Sequence, residues 1–128
     1  MTELFSKKFN NVQIIAVKSS DEAVENADII TTVTTSKKPV FNAQKIKSNV
    51  HINGAGSYTP EMCEIPEEVL VKTNKIFVDT KGGVINESED LIQPIKKGII
   101  KVDKINGELG EVINLIKFFF KHYFLIKI

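Results

Sequence analysis

Four short runs rich in β-branched and apolar residues, alternating with helix-like sequence, constrain this chain more than any other feature. Residues 12–17, 29–34, 50–53 and 76–79 each read as a strand. Between them lie helix signals. Ser19 and Glu22 stand in capping-box relation and predict a helix start, with Ala23, Val24 and Ala27 as its small apolar face. Pro66, followed by Glu67 and Glu68, suits the first turn of a helix through residues 69–71 that stops near Asn74. Residues 88–97 predict a helix with Leu91, Ile92 and Ile95 inward, although Pro94 argues against it. Residues 1–9 suit a short helix, Asn42 a cap for another over residues 43–46, and residues 105–116 a last helix around Leu109, Val112 and Ile113.

Strands alternating with helices imply an α/β layer architecture with a mostly parallel sheet. The strands are apolar almost throughout, which predicts a sheet covered on both faces. Functional loops in such sheets lie at the carboxyl ends of strands. Here those ends are residues 34–36, 54–58 and 79–81.

The chain has 128 residues, enough for one domain with a core. Seventeen basic and 16 acidic side chains give a net charge of +1. That balance argues against a nucleic-acid or anionic-membrane partner, which would favour a strongly basic face. Cys63 is the single cysteine, and His51 and His122 lie far from it in sequence. A lone cysteine fits a reducing cytoplasm, and a structural thiol is the simpler reading than a nucleophile. No metal-ligand spacing is present. Residues 1–10 lack a signal-peptide core, and no run approaches the roughly 20 apolar residues of a spanning helix. The C-terminal stretch comes nearest, but Lys117, Lys121 and Lys127 interrupt it.

Three strand ends carry polar or glycine-rich turns. Residues 31–36 gather hydroxyls that suit a ribose or phosphate, although strand propensity and a polar turn account for them more simply. Gly54-Ala55-Gly56-Ser57 lets backbone approach a flat ligand such as a nicotinamide, with a tight turn as the equal alternative. It is not a G-x-G-x-x-G fingerprint, because position 59 is Thr59. Lys81-Gly82-Gly83 reads as an anion-binding turn or, more simply, a flexible connection. Residues 106–112 suggest no mechanism of their own.

The order of these segments resembles the ornithine cyclodeaminase/μ-crystallin family. Residues 27–40 (ADIITTVTTSKKPV) resemble its "ADIV-x-T-x-T-x-S-x-x-P-V" stretch. Residues 51–65 resemble its "H-I-N-x-x-G" loop and the E-L or E-I that follows. Val78-Asp79-Thr80 resembles its next strand end, and residues 107–112 its "GELGEV" segment. The resemblance covers about residues 10–113.

It implies a partial Rossmann-type domain over residues 1–112 that binds NAD or NADP. The parent activity it implies is hydride transfer on an amino or imino acid, of cyclodeaminase (a lyase), ketimine reductase or amino-acid dehydrogenase type. It implies dimerisation through a separate domain, so a homo-oligomer is expected. It also implies that Thr34 and the Ala55, Gly56 and Ser57 loop contact the cofactor. Tyr58 falls where ornithine cyclodeaminases carry a catalytic aspartate, and a phenol with a reference pKa of about 10 cannot replace that base near neutrality. Met62 falls where those enzymes place a cofactor-contacting lysine. Both departures point to another imino- or amino-acid substrate.

The family's G-x-G-x-x-G loop, its ribose-selecting acid and its catalytic lysine have no counterpart in these residues. The expectation is therefore an incomplete unit, inactive alone. The alternative is a non-catalytic interaction protein that pairs with a companion fragment. Residues 113–128 form an apolar, lysine-containing tail that departs from the family. The readings open for it are translated out-of-frame sequence, a membrane-surface helix, or an exposed aggregation hazard.

Overall fold

The structure, a computed structural model, describes residues 2–9, 11–115 and 125–127. The helices are α1 (Thr2–Lys8), α2 (Ser20–Val24), α3 (Glu67–Lys72), α4 (Lys81–Glu87), α5 (Glu89–Lys96) and α6 (Leu109–Leu115). The strands are β1 (Ile29–Thr32), β2 (His51–Gly54), β3 (Ile76–Val78), β4 (Ile105–Glu108) and β5 (Leu125–Lys127). They form one sheet in the order β1-β2-β5-β3-β4, and every pairing is parallel. The expected parallel α/β architecture is present.

The core lies against one face of β1 and β2. Ile30 and Ile52 sit side by side in the register and are buried, together with Val24, Phe41, Val69 and Leu70. β3 is buried at all three positions. Coverage on both faces, as expected from the apolar strands, holds for β3 but not for β1. There Ile29 and Thr31 are exposed while Ile30 and Thr32 are buried. β1 is also terminal, with no further strand beside it among the described residues.

The predicted helix start holds, but the helix ends at Val24, so Ala27 lies beyond it and, of the expected apolar face, Ala23 is exposed and only Val24 is buried. Ser19 Oγ accepts from the Glu22 amide, but Glu22 reaches back to the Lys18 amide rather than to that of Ser19. Pro94 is tolerated inside α5, where it is buried near the C-terminal end, and Gly98 at φ 71° then stops the helix.

Four expectations are corrected. Residues 12–17 form no strand; Val12 and Ile15 are 58% and 66% exposed. Strand propensity describes fit to a pleated, half-buried surface, and among the described residues this segment has no paired neighbour to supply one. Residues 43–46 make a single turn on Asn42, whose Oδ1 accepts from the Gln44 amide, and not a helix. Residues 105–108 are strand β4, so the last helix begins only at Leu109. Lys81-Gly82-Gly83 is not a flexible connection. It opens α4, capped by Thr80 Oγ1 accepting from Gly83 N.

Residues 106–111 gain a structural role. The register between β3 and β4 shifts at Asn106, whose Oδ1 accepts the Ile76 amide. Glu108 accepts the first amide of α4, from Lys81, and Glu111 accepts the Glu108 amide. One acidic stretch thus joins a strand end to two helix starts. Of the tail, residues 125–127 are the middle strand of the sheet; residues 116–124 and 128 lie outside the described residues. Among the described residues, no helix is long and apolar enough to cross a membrane.

Candidate functional site at the carboxyl ends of β1 and β2

The chain leaves β1 through Thr34 and leaves β2 through Ala55, Gly56 and Ser57, so the parallel pairing brings both exits to one rim. A buried glutamate ties them together. Glu64 is fully buried. Its Oε1 accepts the Thr34 amide at 2.5 Å. Its Oε2 accepts the Gly56 amide at 2.7 Å and the Thr32 hydroxyl at 3.0 Å. Ala55 N donates to Thr32 O at 2.9 Å, which closes the same junction. A buried acid is costly unless hydrogen-bonded, and three donors meet this one.

A second buried acid holds the first. Asp90, from α5, accepts the amides of Glu64 and Ile65 on Oδ1 at 2.7 and 2.9 Å. Ser57 is 2% exposed; its hydroxyl donates to the Met62 carbonyl and lies 3.2 Å from Ser88 Oγ. The loop from 54 to 65 is therefore fastened at both ends to α5 and to the exit of β1.

The expected site residues divide accordingly. Thr34 is exposed; its amide points inward to Glu64, and its hydroxyl, which accepts from the Ser36 amide, faces the rim. Ala55 is half-buried on the same rim. Tyr58 is 60% exposed at the loop tip. Gly56 is buried for a different reason from the expected approach to a ligand. A Cβ there would lie 2.2 Å from Thr34 O and 2.3 Å from Thr34 N, so its missing side chain admits the protein's own backbone. The Ser57 side chain is spent on the interior.

Sequence reasoning placed Glu64 in the family's E-I pair without a role, and missed Asp90. Glu64 had a usable signal, a lone acid between Cys63 and Ile65-Pro66. Asp90 had none, because Glu89 beside it looks the same in sequence and is half-exposed.

Cys63 lies in a shallow cavity of about 370 Å³ with Glu67, Glu89, Asp90 and Lys97 on its walls. Burial first, and then the charges of Asp90, Glu89 and Glu67, push its thiol up to about 12. It stays protonated near neutrality, which suits the structural reading. A larger cavity of about 430 Å³ lies at the amino ends of β2 and β3, between Ile46, Val50 and Val69. It is at the opposite end of the strands from the rim. Among the described residues, no group of three or more His, Cys, Asp or Glu could hold a metal.

Comparison with known proteins finds relatives over most of the chain. The model of the ornithine cyclodeaminase/mu-crystallin family matches residues 2–116. A Delta(1)-pyrroline-2-carboxylate reductase of Bacillus thuringiensis subsp. konkukian is 41% identical over 96 residues, covering 75% of this chain and 29% of that protein. The ketimine reductase mu-crystallin of Macropus fuliginosus is 34% identical, covering 77% of this chain and 29% of its own. Among solved structures, the Thermococcus litoralis Delta(1)-pyrroline-2-carboxylate reductase in complex with NADH and L-proline superposes with a TM-score of 0.87 at 36% identity. That match covers 98% of this chain and 39% of the other. The sheet is therefore Rossmann-like, and the chain spans about 29% of the length of these curated relatives.

Proposed function

Because the chain belongs to the ornithine cyclodeaminase/mu-crystallin family, we propose that its rim is the nicotinamide-side wall of an NAD(P)(H) site. The parent reaction is hydride transfer on a small imino or amino acid, of the ketimine-reductase kind. The observation that carries this reading is the rim itself. Two parallel-strand exits meet at the carboxyl end of the sheet, where α/β folds bind ligands, in a chain 36% identical to a reductase solved with NADH.

The residues fit one end of the dinucleotide. The Thr34 hydroxyl can donate to a ribose or carboxamide oxygen, and Ala55 offers a small apolar surface to a flat ring. Tyr58 reaches from the loop tip toward whatever lies above them. The pyrophosphate end has no matching group: the chain contains no G-x-G-x-x-G. Bound nicotinamide would supply the hydride chemistry, while these residues bind and orient it. Tyr58 offers no carboxylate base, which favours imine reduction over ornithine cyclodeamination.

A calorimetric titration of the purified chain with NADH and NADPH tests this. The expected result is binding weaker than micromolar, lost in T34V, with no turnover of Δ1-pyrroline-2-carboxylate by the chain alone. Absence of binding even at millimolar NADH and NADPH overturns the wall. Micromolar binding overturns the view that these residues need a glycine loop beside them to hold the dinucleotide tightly.

A second reading is favoured by the number of large apolar side chains left exposed before, along and just after β1, Leu4, Phe9, Val12, Ile15, Ile29 and Val33. A protein partner, whether a companion fragment or a second copy, would cover them. Sedimentation of the chain across a hundredfold concentration range distinguishes them: concentration-dependent dimers indicate self-pairing, and a monomer that sediments unchanged leaves only a different chain as partner.

A further inference from the structure

We infer that Glu64 is the positioning residue of this rim: its carboxylate sets the spacing between the Thr34 and Gly56 exits, and so fixes the wall to which a dinucleotide binds. The inference rests on the wall proposed above but concerns a residue that does not touch the ligand.

The geometry leaves Glu64 little other work. It is fully buried, so it cannot meet solvent or substrate. All three hydrogen bonds of its carboxylate are donations to it, and they come from the two strand exits: Thr34 N and Thr32 Oγ1 from the first, Gly56 N from the second. The exits are otherwise joined by the Ala55–Thr32 backbone bond. Asp90 fixes where the Glu64 backbone itself sits, through the amides of 64 and 65. The carboxylate is thus a rigid spacer, anchored from α5 and holding both exits at once.

Its chemistry is hard to replace. Glutamine has the same length, but one of its two terminal atoms is an NH2 donor. In one orientation that donor faces the Thr34 amide, and in the other the Gly56 amide. Either way two donors oppose each other, and one exit is released while the side-chain volume is kept. Aspartate is one methylene too short to reach both exits from the same backbone.

Amide hydrogen exchange in the full chain, read by NMR for E64Q against wild type, tests the assignment. Exchange at Thr34 or Gly56 should accelerate at least about tenfold relative to the core amides of Ile52 and Val78. NADH affinity should fall in parallel by about tenfold. A general loss of stability would instead move loop and core amides together, and that result, or unchanged exchange at both exits, overturns the inference. If E64Q does not fold, T32V is measured in its place. It removes one donor to Oε2 and leaves the carboxylate, so a smaller but still selective acceleration at Gly56 supports the inference and its absence overturns it. Should the wild-type chain fail to bind NADH while E64Q frees the exits selectively, the wall reading falls and the spacer role stands.

Discussion

Gly56→Ala should be among the most damaging single-methyl additions available in this protein. The new Cβ would stand 2.2 and 2.3 Å from the backbone O and N of Thr34 and 2.6 Å from Cδ of Glu64. Two of these neighbours are main chain and the third is a buried carboxylate, so none yields as a flexible side-chain tip would. The two exits must separate, and the Gly56–Glu64 bond goes with them. Overpacking of roughly 1–3 kcal/mol and a lost buried hydrogen bond of similar size sum to about 2–6 kcal/mol. Against a typical total of roughly 5–15 kcal/mol, that should lower the urea midpoint steeply. Gly82→Ala is the control. It adds a methyl where nothing lies within 4 Å, inside α4. It should be neutral or stabilising by up to about 1 kcal/mol through helix propensity. Equal midpoints for the two variants would contradict the close crossing at Gly56.

The second large effect is expected at Asp90. Asp90→Leu leaves the buried amides of Glu64 and Ile65 without their acceptor. At roughly 1–3 kcal/mol for each of the two orphaned groups, the loss is about 2–6 kcal/mol. Asp90→Asn keeps an oxygen that can accept both amides and should cost about 1 kcal/mol or less. Both variants remove a charge that, after burial, raises the Cys63 thiol. Thiolate should therefore form at lower pH than in the wild type, where the value is about 12. The sign follows for stability as well. A thiol raised from 9.0 favours the folded state fully below pH 9, and that contribution is lost as pH climbs toward 12. Urea midpoints and iodoacetamide rates between pH 8 and 11 measure both effects. Similar midpoints for Asp90→Leu and Asp90→Asn would show that the two amides do not depend on this acceptor.

The sheet was legible in the sequence because its signal is compositional. Residues 29–32 and 76–78 needed only short β-branched or apolar runs with polar stops, and 51–54 the Val50–Ile52 pair ahead of a glycine turn; all three are strands. Residues 12–17 carried the same signal but pair with no strand among the described residues, and composition cannot report pairing. β4 was hidden by Asn106 and Gly107, which weaken the strand pattern and make structural sense only beside the bulge and helix caps they serve. The rim was legible in outline, since Thr34, Ala55, Gly56 and Ser57 do converge. What the sequence could not convey is which of their atoms face inward. Ser57 looked like a ligand contact and is bonded to Met62 and Ser88, while Gly56 looked open and is filled by Thr34. Those outcomes depend on Glu64 and Asp90, acids 26 positions apart that only the packed fold brings together.

The all-parallel sheet has a kinetic consequence. No two neighbouring strands are joined by a tight turn, because parallel pairing requires a crossover each time. Even the β1–β2 pair must close the stretch from Ile29 to His51 before its first ladder bond forms. Loop-closure entropy therefore precedes nearly every contact that rewards it, so the chain belongs among slow folders. While it waits, Ile30, Ile52 and Val78 are open to solvent, and dilution and low temperature during refolding become the conditions that decide yield.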